Sequence, residues 1–123
     1  MIAARGTKVF KGGATASWTE IDTGRTSAGR YNFANFNFNG TDKVVFVDGT
    51  NLASVFDNSS ITDVSASGRP ADAAFVEVFK SHVFYAGMSS TPQELIFSVP
   101  FDEDNFASAS GAGSIRVDGV ING

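Results

Sequence analysis

Three stretches of the chain repeat one pattern, and that repeat constrains the fold more than any other feature. Lys8-Val9-Phe10-Lys11-Gly12-Gly13 leads to Trp18-Thr19-Glu20-Ile21. Lys43-Val44-Val45-Phe46-Val47-Asp48-Gly49 leads to Ser54-Val55-Phe56-Asp57, and His82-Val83-Phe84-Tyr85-Ala86-Gly87 leads to Leu95-Ile96-Phe97-Ser98. Each copy is an apolar run, a glycine turn and a second apolar run. The Val-Phe pairs lie roughly 36 to 38 residues apart, a period typical of arrays and propellers. No segment sustains a helical period, so the runs read as strands.

The spacing predicts strands over 6–11 and 16–22, then 31–38, 43–48, 52–57 and 60–65. The loop Ala66-Ser67-Gly68-Arg69-Pro70 breaks the chain. Strands over 73–79, 81–86 and 94–99 follow, and 101–107 stands where 57–65 stood. In 31–38 the aromatic alternation slips between Phe33 and Phe36, which predicts a bulge near Ala34-Asn35. Asn39-Gly40 is a hairpin signal, with Thr41 and Asp42 as a possible extension of the loop. The expected fold is all-β: antiparallel four-stranded meanders that resemble propeller blades. The units are 1–30 (partial), 31–68, 72–110 and 111–123 (the start of another), within one all-β domain or fragment over 1–123. A single β-sandwich is the alternative.

Composition narrows the function classes. Twelve phenylalanines in 123 residues supply large rings for pleated surfaces, and 13 glycines against 3 prolines suit short strands with tight turns. The net charge of -4 repels phosphates, which argues against a nucleic-acid-binding module and suits a surface past which DNA slides. There is no cysteine, hence no disulfide framework and no thiolate metal site. No apolar run approaches the roughly 20 residues of a membrane span, and the start of the chain carries no signal-peptide pattern.

Candidate chemistry is sparse. His82, the sole histidine, begins a predicted strand without a Gly-x-Ser-x-Gly elbow, so an outward strand position is the expectation. Asp102-Glu103-Asp104-Asn105 offers hard oxygen ligands but lacks the glycine and distal glutamate of a calcium loop. Glu20, Glu77, Glu94 and Glu103 are carboxylates that sequence cannot pair into a hydrolytic site. Trp18, Tyr31 and Tyr85 suit a sugar or base platform, or a core. Gly111-Ala112-Gly113-Ser114 reads as a turn rather than a phosphate cradle. Arg5, Lys8, Lys11, Arg25 and Arg30 gather in the first thirty residues and read as a solvated face. No catalytic, cofactor-binding or metal site is assigned.

The run Phe79-Lys80-Ser81-His82-Val83-Phe84-Tyr85-Ala86-Gly87, then Pro92-Gln93-Glu94-Leu95-Ile96-Phe97-Ser98, then Phe101-Asp102-Glu103-Asp104-Asn105-Phe106, resembles a blade of bacteriophage tail proteins. Val44-Val45-Phe46-Val47-Asp48-Gly49 to Val55-Phe56-Asp57 is similar to the preceding blade, and Gly111 to Gly123 to the strand after it. The resemblance covers 31–123 best and 6–22 weakly. It implies a structural virion component at the nozzle, hub or tube end of a short phage tail. Such a component acts by assembly with other copies or other tail proteins, without catalysis, and without specific binding to passing DNA. A carbohydrate- or receptor-binding β module is the alternative. The family is usually much longer than this chain.

Overall fold

The computed structural model describes residues 1–26 and 30–117. They form an all-β structure of three antiparallel sheets. The first sheet has the order β1 (Ile2–Arg5), β2 (Lys8–Gly12), β3 (Trp18–Asp22). The second is a meander of β4 (Asn32–Phe38), β5 (Thr41–Val47), β6 (Ser54–Phe56) and β7 (Ile61–Asp63). The third is a meander of β8 (Phe75–Phe79), β9 (His82–Ala86), β10 (Glu94–Phe97) and β11 (Gly113–Arg116). Among the described residues no helix is long and apolar enough to cross a membrane.

Tight hairpins open each sheet. Asn39 (φ 56) and Gly40 (φ 81) both sit at positive φ, as a two-residue type I′-like loop requires. Phe38 pairs directly with Thr41, so Thr41 and Asp42 belong to β5 and the loop is not lengthened. Lys80 (φ 47) and Ser81 (φ 66) make the corresponding loop between β8 and β9 without a glycine.

The second sheet is the middle layer, buried on both faces. Toward the third sheet it presents Ala34, Phe36, Phe38, Val45, Val47 and Val55, which pack with Val76, Val83, Tyr85 and Met88. Toward the first it presents Phe33, Phe46 and Phe56, which pack with Val9, Ile2 and Ala4. This two-sided burial explains the aromatic slip in β4. The strand alternates regularly, with Phe33 on one face and Phe36 and Phe38 on the other. The β4–β5 register is unbroken, so there is no bulge at Ala34-Asn35. A register shift does occur between β2 and β3, at Val9/Phe10.

The two interfaces run in different senses. Against the third sheet, like ends meet. Gly49 N–H donates to Ala73 O at 2.9 Å, and Val76 N–H to Asn32 Oδ1 at 2.9 Å. At the other end Asn39 Nδ2 reaches Phe101 O at 3.4 Å, beside the β8–β9 turn through Phe101 N–H to Ser81 O at 2.8 Å. The first strands, β4 and β8, make the closest approach. Against the first sheet, opposite ends meet. The β1–β2 turn lies beside the start of β4, where Tyr31 Oη donates to Gly6 O at 3.0 Å. The far end of β2 lies beside the β6–β7 turn, where Lys11 Nζ donates to Asn58 O at 3.1 Å. The first unit therefore stacks upside down on the second and does not continue the repeat in the same sense.

Two further expectations change. The fourth strand of the third sheet is β11, whose Ile115 pairs with Leu95, not the segment 101–107. Residues 113–116 thus complete a sheet instead of opening another unit, while Asp118–Gly123 lie outside the described residues. The strand expected over 6–11 is displaced, because Gly6 (φ 60) turns the chain between β1 and β2.

Candidate functional site: the outer face of the third sheet

The third sheet buries Val76, Val83 and Tyr85 against its neighbour, and strand alternation sends the intervening residues outward. Phe75 and Phe79 on β8 are 57% and 60% exposed, and Ile115 on β11 is 52% exposed. Phe84, Leu95 and Phe97 fill the space between them, half-buried. Phe84 pairs with Phe97 in register, their rings 5.4 Å apart. Gly113 lets Phe97 lie flat across β11, since a Cβ there would come within 3.0 Å of the ring. Gly87 (φ 74) does the same for Phe75, at 2.9 Å. Glu77 stands between Phe75 and Phe79, with Oε1 accepting the Val78 N–H at 2.9 Å. Lys80 Nζ lies 5.5 Å over the Phe79 ring.

The result is an apolar sheet face with few charges. Contiguous apolar surface of this kind ordinarily marks an interaction site. The outer face of the first sheet differs. It carries Arg5 and an ion pair, Lys8 Nζ to Glu20 Oε2 at 2.5 Å. Trp18 lies across Gly12, which has no room for a Cβ beneath the ring.

His82 sits on the outer face of the third sheet, as expected, and its surroundings are structural. Its Nδ1 is 2.6 Å from Ser98 O, and its ring packs edge-on to Phe97 at 5.6 Å. The acidic stretch clasps the middle sheet. Asp104 Oδ1 accepts the N–H groups of Ser65 and Ala66 at 2.7 and 2.8 Å, and Glu103 pairs with Lys43. Asp102 accepts from the Asp104 N–H and from Asn105 Nδ2, each at 3.3 Å. Among the described residues no group of three or more His, Asp or Glu side chains is arranged to hold a metal. Of the remaining glutamates, Glu94 lies at the start of β10, opposite Arg116 in register.

The three rings Trp18, Tyr31 and Tyr85 are not brought together. Tyr85 is fully buried in the interface between the second and third sheets, its hydroxyl without a partner among the described residues. Burial, then the charges of Glu103 and Asp104, push its pKa well above the ordinary range. Tyr31 stacks on Phe33 at 6.2 Å. Only Trp18 of the three is exposed.

Arg25 lies in the joint between the first and second sheets rather than on a solvated face. Its side chain is 6% exposed. Nε donates to Asp48 Oδ2 and Nη1 to Asp22 Oδ2, both at 3.1 Å. Nη1 also reaches Ser54 Oγ at 2.9 Å, and Nη2 reaches Leu52 O at 3.1 Å. The guanidinium stands 5.0 Å over the Phe46 ring. Burial alone would lower its pKa, but the hydrogen bonds from Asp22 and Asp48 raise it. Burial alone would raise Asp48. The Asn51 backbone and side chain, the Thr50 N–H and Arg25 together hold it below the usual carboxylate range.

A cleft of about 860 Å³ opens between the first and second sheets. Asn35, Asn37, Asn58 and Lys11 line it, with Phe33 and Phe56 as apolar walls. The strand alternation that buries Phe36 and Phe38 on one face places Asn35 and Asn37 on the other.

No family model matches the chain, and no curated protein or solved structure matches it either.

Proposed function

We propose that this protein is a structural component of a phage tail, at its nozzle, hub or tube end, acting by assembly without catalysis. The observation that carries the reading is the apolar outer face of the third sheet, which no other sheet among the described residues covers. Such a face costs solubility unless something covers it. The resemblance of 31–123 to tail-protein blades supplies the setting. The second and third sheets support a propeller-type relation: both are four-stranded meanders, stacked in the same sense with β4 and β8 closest. The negative net charge lets DNA pass the surface without adhering. Virions purified from the source culture test the reading. The chain is expected in tail fractions at a fixed ratio to other tail proteins. Its absence from those particles overturns the assignment.

The cleft favours a second reading, a carbohydrate-binding module. Planar amides from Asn35, Asn37 and Asn58 suit vicinal hydroxyls, and Phe33 and Phe56 suit the apolar face of a sugar ring. A glycan array read against an Asn35→Ala variant tests it. Binding that survives the change, or no binding by the unaltered chain, rejects the cleft as the site.

A further inference from the structure

We infer that the cleft between the first and second sheets takes an acidic saccharide, with Lys11 holding the sugar's carboxylate. This rests on the carbohydrate reading of the cleft and adds the charge of the ligand.

The cleft exists because the first sheet covers only part of the face it packs against. Phe33, Asn35 and Asn37 share that face of β4. Phe33 packs with the first sheet, whereas Asn35 and Asn37 stay exposed. The space left open, about 860 Å³, is that of a small-molecule site. The side-chain amides of Asn35 and Asn58 make no hydrogen bond among the described residues. Each offers donors and an acceptor, which matches a sugar hydroxyl, itself both donor and acceptor.

The charge of the ligand follows from Lys11. Of the two lysines that line the cleft, Lys43 gives its ammonium to Glu103. Lys11 belongs to no ion pair among the described residues. It is half-buried, and neutral groups hold its Nζ: the Asn58 carbonyl at 3.1 Å and the Phe56 ring at 5.7 Å. One hydrogen bond uses one of three ammonium donors and leaves two for a ligand. A cation already oriented in this way binds a carboxylate at little ordering cost, through charge-assisted hydrogen bonds. Asp42 also lines the cleft, and one of its oxygens accepts from Asn37 Nδ2. Its remaining acceptor sites call for donors. Sugar hydroxyls supply them, and the carboxylates of an acidic peptide do not.

A glycan array of neutral and carboxylate-bearing sugars, printed once intact and once with its carboxyls methyl-esterified, tests the inference. The full chain is expected to bind acidic glycans, and esterification should weaken that binding about tenfold. Lys11→Met keeps the apolar stem and removes the charge, so it should bind acid and ester alike. Asn35→Ala should weaken both forms. A far-ultraviolet spectrum checks that each variant is folded. Binding of neutral glycans that falls with Asn35→Ala but ignores Lys11→Met and esterification overturns the charge preference and leaves the cleft reading standing. Equal competition by polyglutamate overturns the saccharide as ligand. Acidic glycans bound equally well by Asn35→Ala, or no glycan bound at all, reject the cleft and this inference together.

Discussion

The middle sheet is buried on both faces by different means. Its interface with the third sheet is apolar, built from Phe36, Phe38, Val45, Val83, Tyr85 and Met88. Its interface with the first sheet has a smaller apolar centre, Val9, Phe46 and Phe56, and is bolted at one end by Arg25 between Asp22 and Asp48. The difference follows from stacking sense. Sheets laid in the same sense bring like positions of the repeat together, so apolar meets apolar. The inverted first sheet cannot use that match. A directional cation linking the chain after β3 to the β5–β6 turn fixes its placement instead.

Removing the bolt should produce the largest effect. Arg25→Ala leaves Asp48 buried without its partner, and a loss of about 3 kcal/mol is expected in urea unfolding. Hydrogen exchange should then rise in β1 to β3 before β8 to β10. Uniform loosening of all three sheets would break the contrast between the interfaces. A cavity in the other interface comes next. Met88→Ala should cost about 2 kcal/mol, with exchange rising first in the third sheet.

Acid separates the interfaces without mutation. The folded pKa of Asp48 lies below its unfolded value of about 3.9. Its contribution is therefore complete above that unfolded value and is lost as pH falls through the folded one. Unfolding midpoints measured from pH 6 downward should fall as the chain is acidified, and an Asp48→Asn variant should show less of this dependence. Equal dependence in both proteins would mean that other carboxylates govern the acid limb. The smallest effect belongs to Tyr85. Its hydroxyl has no partner among the described residues, so Tyr85→Phe should be neutral or stabilising by up to about 1 kcal/mol. A marked loss of stability would reveal a partner for that hydroxyl.

Much of the strand framework was legible in the sequence because its signals are local. Asn39-Gly40 announces a hairpin, and Phe75-Val76-Glu77-Val78-Phe79 announces a strand. β1 was not legible, since Ile2-Ala3-Ala4 is short and its small residues give no alternation. β11 reads in the sequence as the opening of a further unit, because Phe101 and Phe106 imitate strand residues and claim the fourth place in the third sheet. The role of Arg25 has no local signature. Asp22 is three residues away, but Asp48 and Ser54 stand 23 and 29 residues away, and only the folded chain unites them with Arg25. The outer face was illegible for another reason. Apolar residues on both sides of β8 and β9 declare two faces fit for burial, but do not say which one the chain itself covers.

The clasp of Asp104 on Ser65 and Ala66 also sets an order of events. Those two N–H groups receive their acceptor from a residue 39 and 38 positions further on, and Lys43 receives Glu103 from 60 positions further on. As the chain emerges from the ribosome, the middle sheet can pair its strands early but cannot finish its edge. Its last contacts wait for the loop before β11. The layer at the centre of the molecule is thus sealed only after β8 to β10 have been made, by a stretch that belongs to the third sheet.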